Sequence, residues 1–207
     1  MRGLTVIDHP LVQHNLSRLR DRKTAPQEFR RILSEVAALM LHEATRNFET
    51  EPVPVRTPLE KTTGQQLKRE VLLVPVLRAG LGMLDSIMHL IPQARVGFIG
   101  LKREETTLEA HFYHKSLPAD LEQFEVVLID PMLATGGSAV AALDLLKERN
   151  ARRVRLVCLV AAPEGVERVR RSHPRLPIFT AAMDRQLNEK GYILPGLGDA
   201  GDRLFGV

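Results

Sequence analysis

Aliphatic runs of strand length recur through the second two-thirds of the chain. Residues 71–76, 96–101, 126–130, 154–160 and 178–183 are each mostly apolar and read as strands. Between several of them apolar positions return at helical spacing, over about residues 82–90, 138–149 and 163–171. Strands alternating with helices at intervals of roughly 25–30 residues predict right-handed βαβ crossovers. The expected fold is α/β, a mainly parallel central sheet flanked by helices. In such sheets ligands bind beyond the carboxyl ends of the strands.

Before residue 71 the pattern is different. Phe29, Ile32, Leu33, Val36, Leu39 and Met40 recur at helical spacing and predict a helix over about residues 25–47, with Thr24 and Gln27 as its capping box. Residues 49–70, rich in Pro, Thr and Lys, read as a loop around a short extended segment. Residues 102–117 have no helical period, but Ala110-His111-Phe112-Tyr113 reads as one arm of a β-hairpin, and long helix-free excursions often serve as lids. The tail from Asp184 to Val207 carries five glycines between Gly191 and Gly206, too many for a helix. Tyr192, Ile193, Leu194, Leu197 and Phe205 mark it as ordered. One domain over residues 1–207 is expected: a helical assembly region at 1–70, a core sheet at 71–183, and a tail at 184–207.

Composition narrows this picture only slightly. A chain of 207 residues can bury one substantial core. Aromatics make up 4% and Trp is absent, so aliphatic side chains must fill that core. Cys158, the single cysteine, lies in an apolar run and reads as a buried strand thiol. The amino terminus lacks the apolar core of a secretory signal and no stretch reaches the length of a membrane span, so the cytoplasm is expected. A net charge of +4 permits anionic ligands without demanding nucleic acid. Arg149, Arg152, Arg153 and Arg155 form one basic cluster and Arg168, Arg170, Arg171 and Arg175 another; each reads as a solvated helix end or face. His111 and His114 would point to opposite faces of a strand, so they do not read as a metal pair.

The segment with the most chemistry is Asp130-Pro131-Met132-Leu133-Ala134-Thr135-Gly136-Gly137-Ser138. It follows a buried strand and opens a helix. Amides at a helix start lack intrahelical partners and sit at the positive end of the helix dipole, so a phosphate fits there. Gly136 and Gly137 permit close backbone approach, Thr135 and Ser138 offer hydroxyls, and Asp130 stands where it can accept bonds from sugar hydroxyls. The Gly-x-x-x-x-Gly-Lys of a nucleotide P-loop is absent.

This segment resembles the phosphoribosyl-diphosphate signature of the type I phosphoribosyltransferases. Pro131 stands where most members carry a second acid, a form similar to that of the uracil phosphoribosyltransferases. Three further segments share the resemblance: 74–83, containing Arg78-Ala79-Gly80-Leu81-Gly82; 156–165; and the tail Asn188-Glu189-Lys190-Gly191-Tyr192-Ile193-Leu194-Pro195-Gly196-Leu197-Gly198-Asp199-Ala200-Gly201-Asp202-Arg203. It covers essentially the whole chain and implies conversion of uracil and 5-phosphoribosyl 1-diphosphate to UMP and pyrophosphate. It implies catalytic roles for Arg78, Arg103, Asp130 and Asp199. Arg78 and Arg103 would hold the pyrophosphate and Asp130 the ribose. Residues Pro131, Met132, Leu133, Ala134, Thr135, Gly136, Gly137 and Ser138 would cradle the 5-phosphate. Tyr192, Ile193, Gly198, Asp199 and Ala200 would contact uracil. Mg²⁺ would arrive on the diphosphate, with Asp199 beside it through water. A homodimer or higher homo-oligomer is implied, and some relatives are activated by GTP. The competing readings are a transferase for another base and an RNA-binding regulator built on the same fold; the uracil-type tail argues against both. Neither nucleic acid nor membrane is expected as a partner.

Overall fold

The structure is a computed structural model and describes residues 3–103 and 110–207. In chain order the elements are β1 (Leu4–Val6), α1 (Pro10–Arg20), α2 (Pro26–Ala44), β2 (Thr50–Arg56), β3 (Lys61–Leu67) and β4 (Val71–Leu77). Next come α3 (Leu81–Leu90), β5 (Arg95–Val96), β6 (Phe98–Arg103), β7 (Ala110–Ser116), β8 (Glu125–Ile129), β9 (Met132–Leu133) and α4 (Gly137–Glu148). The chain ends with β10 (Arg153–Ala161), α5 (Pro163–Ser172), β11 (Ile178–Met183), β12 (Gln186–Leu187), β13 (Ile193–Leu194) and α6 (Ala200–Phe205). The main sheet runs β1-β11-β10-β8-β4-β6-β7, with β5 beside β4 and β9 beside β10. Its pairings are parallel except β6 with β7.

Successive side chains of a strand point to opposite faces, and here both faces are covered. Leu73, Val127 and Val157 pack with residues of α1, α2, α3 and α6. Leu72, Val126 and Leu156 pack on the other face with α4 and α5. Burial on both sides is why the strands read as unbroken apolar runs. Cys158 lies wholly inside this sheet, and burial pushes its thiol up to about 12, so it is a packing residue.

Three expectations need correction, and one helix was not anticipated. α2 starts at Pro26 with Ala25 as its cap residue, and the Thr24 hydroxyl donates to Arg18 O at 2.6 Å instead of closing a capping box. Pro at the first helical position is preorganised for helix entry and needs no such box. α1 went unread because only Val12, Leu16 and Leu19 are apolar core residues in a stretch otherwise full of Gln, His, Asn and Arg. Residues 49–70 hold a regular antiparallel hairpin, from Thr50 opposite Leu67 to Arg56 opposite Lys61. Pro52 and Pro54 disguise it, yet two residues apart both can turn their ring nitrogens to the unpaired edge. The tail is not irregular throughout: β12 pairs with β13, and α6 forms because Asp199 Oδ1 accepts from Asp202 N at 3.0 Å. The expected hairpin arm is present as β7, while residues 104–109 of the proposed lid lie outside the described residues.

Candidate functional site

The carboxyl ends of β4, β8, β10 and β11 converge on one edge of the sheet. Asp130 follows β8 directly, its amide donating to Val157 O at 3.1 Å. Burial pushes its carboxyl up to about 7; a long hydrogen bond from Met132 N, 3.4 Å, opposes this only weakly. The next residues are stitched to β10. Leu159 N and Val160 N donate to Pro131 O at 3.0 and 3.1 Å, and Ala162 N donates to Leu133 O at 2.9 Å. The turn then closes at Gly136, whose φ of +76° is left-handed and whose Cβ, if present, would lie 2.8 Å from Gly165 O. Only glycine meets both conditions. The Val140 amide bonds Gly136 O at 2.9 Å, and the three amides before it point off the start of α4.

A cation reaches this turn from α5. A Cβ on Gly137 would lie 3.4 Å from Arg168 Nη1 and 3.6 Å from its Cζ. Helical Cβ atoms tilt toward the amino end, so the Arg168 guanidinium stands over the start of α4. Its neighbour one turn back, Glu164, accepts from Leu187 N at 3.0 Å and leaves Arg168 without an ion pair among the described residues.

The opposite wall is a folded loop. Asn188 Oδ1 accepts from Lys190 N at 3.0 Å and Tyr192 N at 2.9 Å, while Asn188 N donates to Tyr192 O at 2.8 Å. Beyond it, Ile193 is buried in β13 and Asp199 caps α6. Between the walls lies a cavity of about 830 Å³. It is lined by Ala79, Asp130, Met132 and Ala134 on one side and by residues 189–193 and 198–201 on the other.

Of the residues singled out from the sequence, Asp130, Met132, Ala134, Tyr192, Ile193, Gly198, Asp199 and Ala200 meet around this one space. Pro131 and Leu133 are buried beneath the turn and shape it through their carbonyls. Thr135 and the cap residue Gly136 lead into α4, and Gly137 and Ser138 open it; all four lie outside the lining. Arg78 follows a cis peptide at the end of β4; it is exposed, its guanidinium 6.0 Å from the Phe205 ring centroid, and its neighbour Ala79 touches the cavity. Arg103 ends β6 opposite Ala110, and its side chain lies outside what is described. Glu189, Lys190, Gly191 and Gly201 also line the cavity, and Arg168 stands over the turn. Asn188, a residue that hydrogen-bonds its own turn, was the readable signal for the first three.

Among the described residues no three of His, Cys, Asp or Glu gather to hold a metal. The carboxylates lining the cavity are Asp130, Glu189 and Asp199, and Asp199 already uses Oδ1 as a helix cap. This donor set fits Mg²⁺ held chiefly by phosphate oxygens and water.

A parallel sheet carrying this strand–Asp–turn–helix at its carboxyl edge defines a type I phosphoribosyltransferase fold. Solved structures agree at the level of fold. A purine phosphoribosyltransferase of Pyrococcus horikoshii has a TM-score of 0.50 and 16% identity, covering 73% of this chain and 82% of its own. A hypoxanthine-guanine phosphoribosyltransferase of Bacillus anthracis has 0.51 and 14%, covering 75% and 79%. The chain belongs to the uracil phosphoribosyltransferase family, whose sequence profile matches residues 6–207. It is 54% identical over 208 residues to a uracil phosphoribosyltransferase of Symbiobacterium thermophilum, covering 100% of both chains. It is also 54% identical over 203 residues to that of Ligilactobacillus salivarius, covering 98% and 97%. A solved structure from Aquifex aeolicus superposes with a TM-score of 0.94 at 39% identity, covering 99% and 98%.

Proposed function

We propose that this chain joins uracil to the phosphoribosyl group of 5-phosphoribosyl 1-diphosphate, producing UMP and pyrophosphate in pyrimidine salvage. The observation that carries the reading is the shared cavity. One wall is a phosphate-type turn with Asp130 at its lip, and the facing wall is a glycine-rich loop that presents backbone groups. A ribose phosphate held at the first wall would put its anomeric carbon toward a planar base at the second.

In this reaction the bond from the sugar to diphosphate breaks as positive charge grows on the ring, and the bond to uracil N1 forms as N1 loses its proton. The amides at the start of α4, with Arg168 above them, would fix the 5-phosphate. Binding energy gained there, away from the reacting carbon, can be used for alignment. Asp130 holds a carboxyl near neutrality in a buried setting, where hydroxyl donors from the ribose would stabilise its charged form. Arg78 would turn from Phe205 to the pyrophosphate, and Arg103 is assigned the same partner. Ile193 and Gly198, Asp199 and Ala200 would read the edge of uracil through backbone donors and acceptors, with Tyr192 over the ring. Mg²⁺ on the diphosphate would neutralise the leaving group, Asp199 and Asp130 being placed to hold its waters.

A homodimer is part of the proposal. The β2–β3 ribbon is mostly exposed, with Leu59 near its tip 96% exposed, and an isolated two-stranded ribbon is marginal in water. Activation by GTP is proposed without an assigned site. No helix among the described residues is long and apolar enough to cross a membrane. The charged substrate, which does not cross membranes, supports a cytoplasmic location. Purified protein with phosphoribosyl diphosphate and Mg²⁺ should convert uracil to UMP and leave cytosine, hypoxanthine and orotate untouched. No UMP under those conditions, or equal use of another base, would overturn the reading.

A further inference from the structure

We propose that Arg20, the last residue of α1, and Asp184, the residue after β11, form a positioning pair that sets the geometry of uracil recognition. The inference rests on the reading of the site given above. The Asp184 side chain is only 4% exposed, yet it carries a full set of partners. Arg20 Nη1 donates to Oδ2 at 2.8 Å and Nη2 to Oδ1 at 2.6 Å, a two-pronged match of guanidinium to carboxylate. The same pair holds both backbone groups of one residue in the tail. Gly196 N donates to Asp184 Oδ2 at 2.9 Å, and Gly196 O accepts from Arg20 Nη1 at 2.7 Å.

Gly196 is where the base wall is folded most tightly. Its φ is +61°, and a Cβ there would lie 2.1 Å from Ile193 O. Ile193 on one side and Gly198 and Asp199 on the other all line the cavity. A shift of Gly196 is therefore transmitted directly to the groups that read the base. The end of α1 is tied to the same wall a second time, because Arg203 donates to Leu197 O at 2.8 Å and to Asp21 O at 2.7 Å. The phosphate turn shares none of these bonds and hangs on β10 instead. Through its side chains the pair reaches the cavity at Gly196, on the base half; Asp184 meets β10 only by its own backbone, its amide donating to Ala161 O at 2.8 Å.

The test is steady-state kinetics with uracil and phosphoribosyl diphosphate varied separately. Asp184→Asn keeps the shape but turns an amide donor toward Arg20 or Gly196 N. Arg20→Lys keeps the charge and loses the two-pronged match. Each should raise the KM for uracil on the order of 10-fold while the KM for phosphoribosyl diphosphate stays within about 2-fold and kcat within about 3-fold. Glu125→Gln is the control: it disturbs the buried Arg155–Glu125 pair, 3.0 Å, at the far end of the strands and should lower thermal stability without moving either KM. If Asp184→Asn does not fold, Arg20→Lys carries the test. An unchanged uracil KM, or equal rises for both substrates, would reduce the pair to a structural ion pair and end the proposal. Absence of uracil turnover in the unmodified enzyme would strike the functional reading itself, before any variant is compared.

Discussion

The two walls of the cavity are built on opposite plans. The main chain of the phosphate wall runs unbroken from Asp130 to Val140, braced by the adjoining strand β10 and the start of α5 just beyond it. The base wall is gathered from across the chain: Arg20 meets Asp184 across 164 positions of sequence and Gly196 across 176. A phosphate is bound by a local backbone shape, which one short segment can encode. A planar base must be read by donors and acceptors at fixed spacing, and the tail achieves that spacing only where other elements hold it. Damage to the first wall should consequently be local and severe, and damage to the second should be transmitted and selective.

The largest effect is expected at the junction of the walls. Asp130→Asn should lower kcat/KM on the order of 100- to 1000-fold, because a charged acceptor facing the ribose is lost. The same change should stabilise the ligand-free protein, with a definite pH dependence. The Asp130 carboxyl is raised from 3.8 to about 7 by burial, so between those values the folded protein keeps a proton that the unfolded chain has released. Stability from this group is whole below about pH 4, falls as pH rises toward 7, and is level above. Asn has no proton to lose, so the variant should gain on the parent between pH 5 and pH 8, by at most about 3 kcal/mol. Thermal melts at the two pH values decide it; a variant whose advantage does not grow with pH would mean the carboxyl is not strained.

The same contrast explains how much was readable in advance. Strands β4, β8, β10 and β11 were legible because both faces of the sheet are covered, and the phosphate turn because its residues are consecutive. Helix α1 was not, since its apolar stripe is three residues wide among polar ones. The roles of Arg20 and Asp184 followed it out of sight: a pairing across most of the chain leaves no local pattern. Arg168 was read as a solvated cation, and its sequence neighbours gave no sign that α5 would lay it over Gly137. The tail was recognised as a binding segment while its helix was missed, because glycine count outweighed the capping role of Asp199.

A second break aims at the phosphate wall alone. Gly136→Ala forces a side chain into a left-handed conformation, about 1–2 kcal/mol for a residue with a Cβ. It also drives that Cβ to 2.8 Å from Gly165 O. The turn must open, and the KM for phosphoribosyl diphosphate should rise on the order of 10-fold while that for uracil moves much less. This is the mirror image of the outcome expected at Asp184. If both substrates suffered equally, the two walls would not be independent.

The smallest expected effect sharpens the comparison instead of breaking it. Arg168 is a cation at the positive end of α4, a placement that is unfavourable for a lone guanidinium. Its nearest helical acid, Glu164, is occupied by Leu187 N. A phosphate dianion would satisfy both the helix start and the arginine, so removing the charge should weaken phosphoribosyl diphosphate and leave uracil alone. Being exposed, the group should contribute on the order of 1 kcal/mol, so Arg168→Gln should raise that KM about 3- to 5-fold at low ionic strength. At an exposed position the difference must shrink as salt is added, because the Debye length falls to about 8 Å near physiological strength. Kinetics of the parent and Arg168→Gln at two salt concentrations read both effects together. A difference that persisted unchanged in high salt would point to altered packing of α5 on the turn, and no difference at all would return Arg168 to the solvated surface.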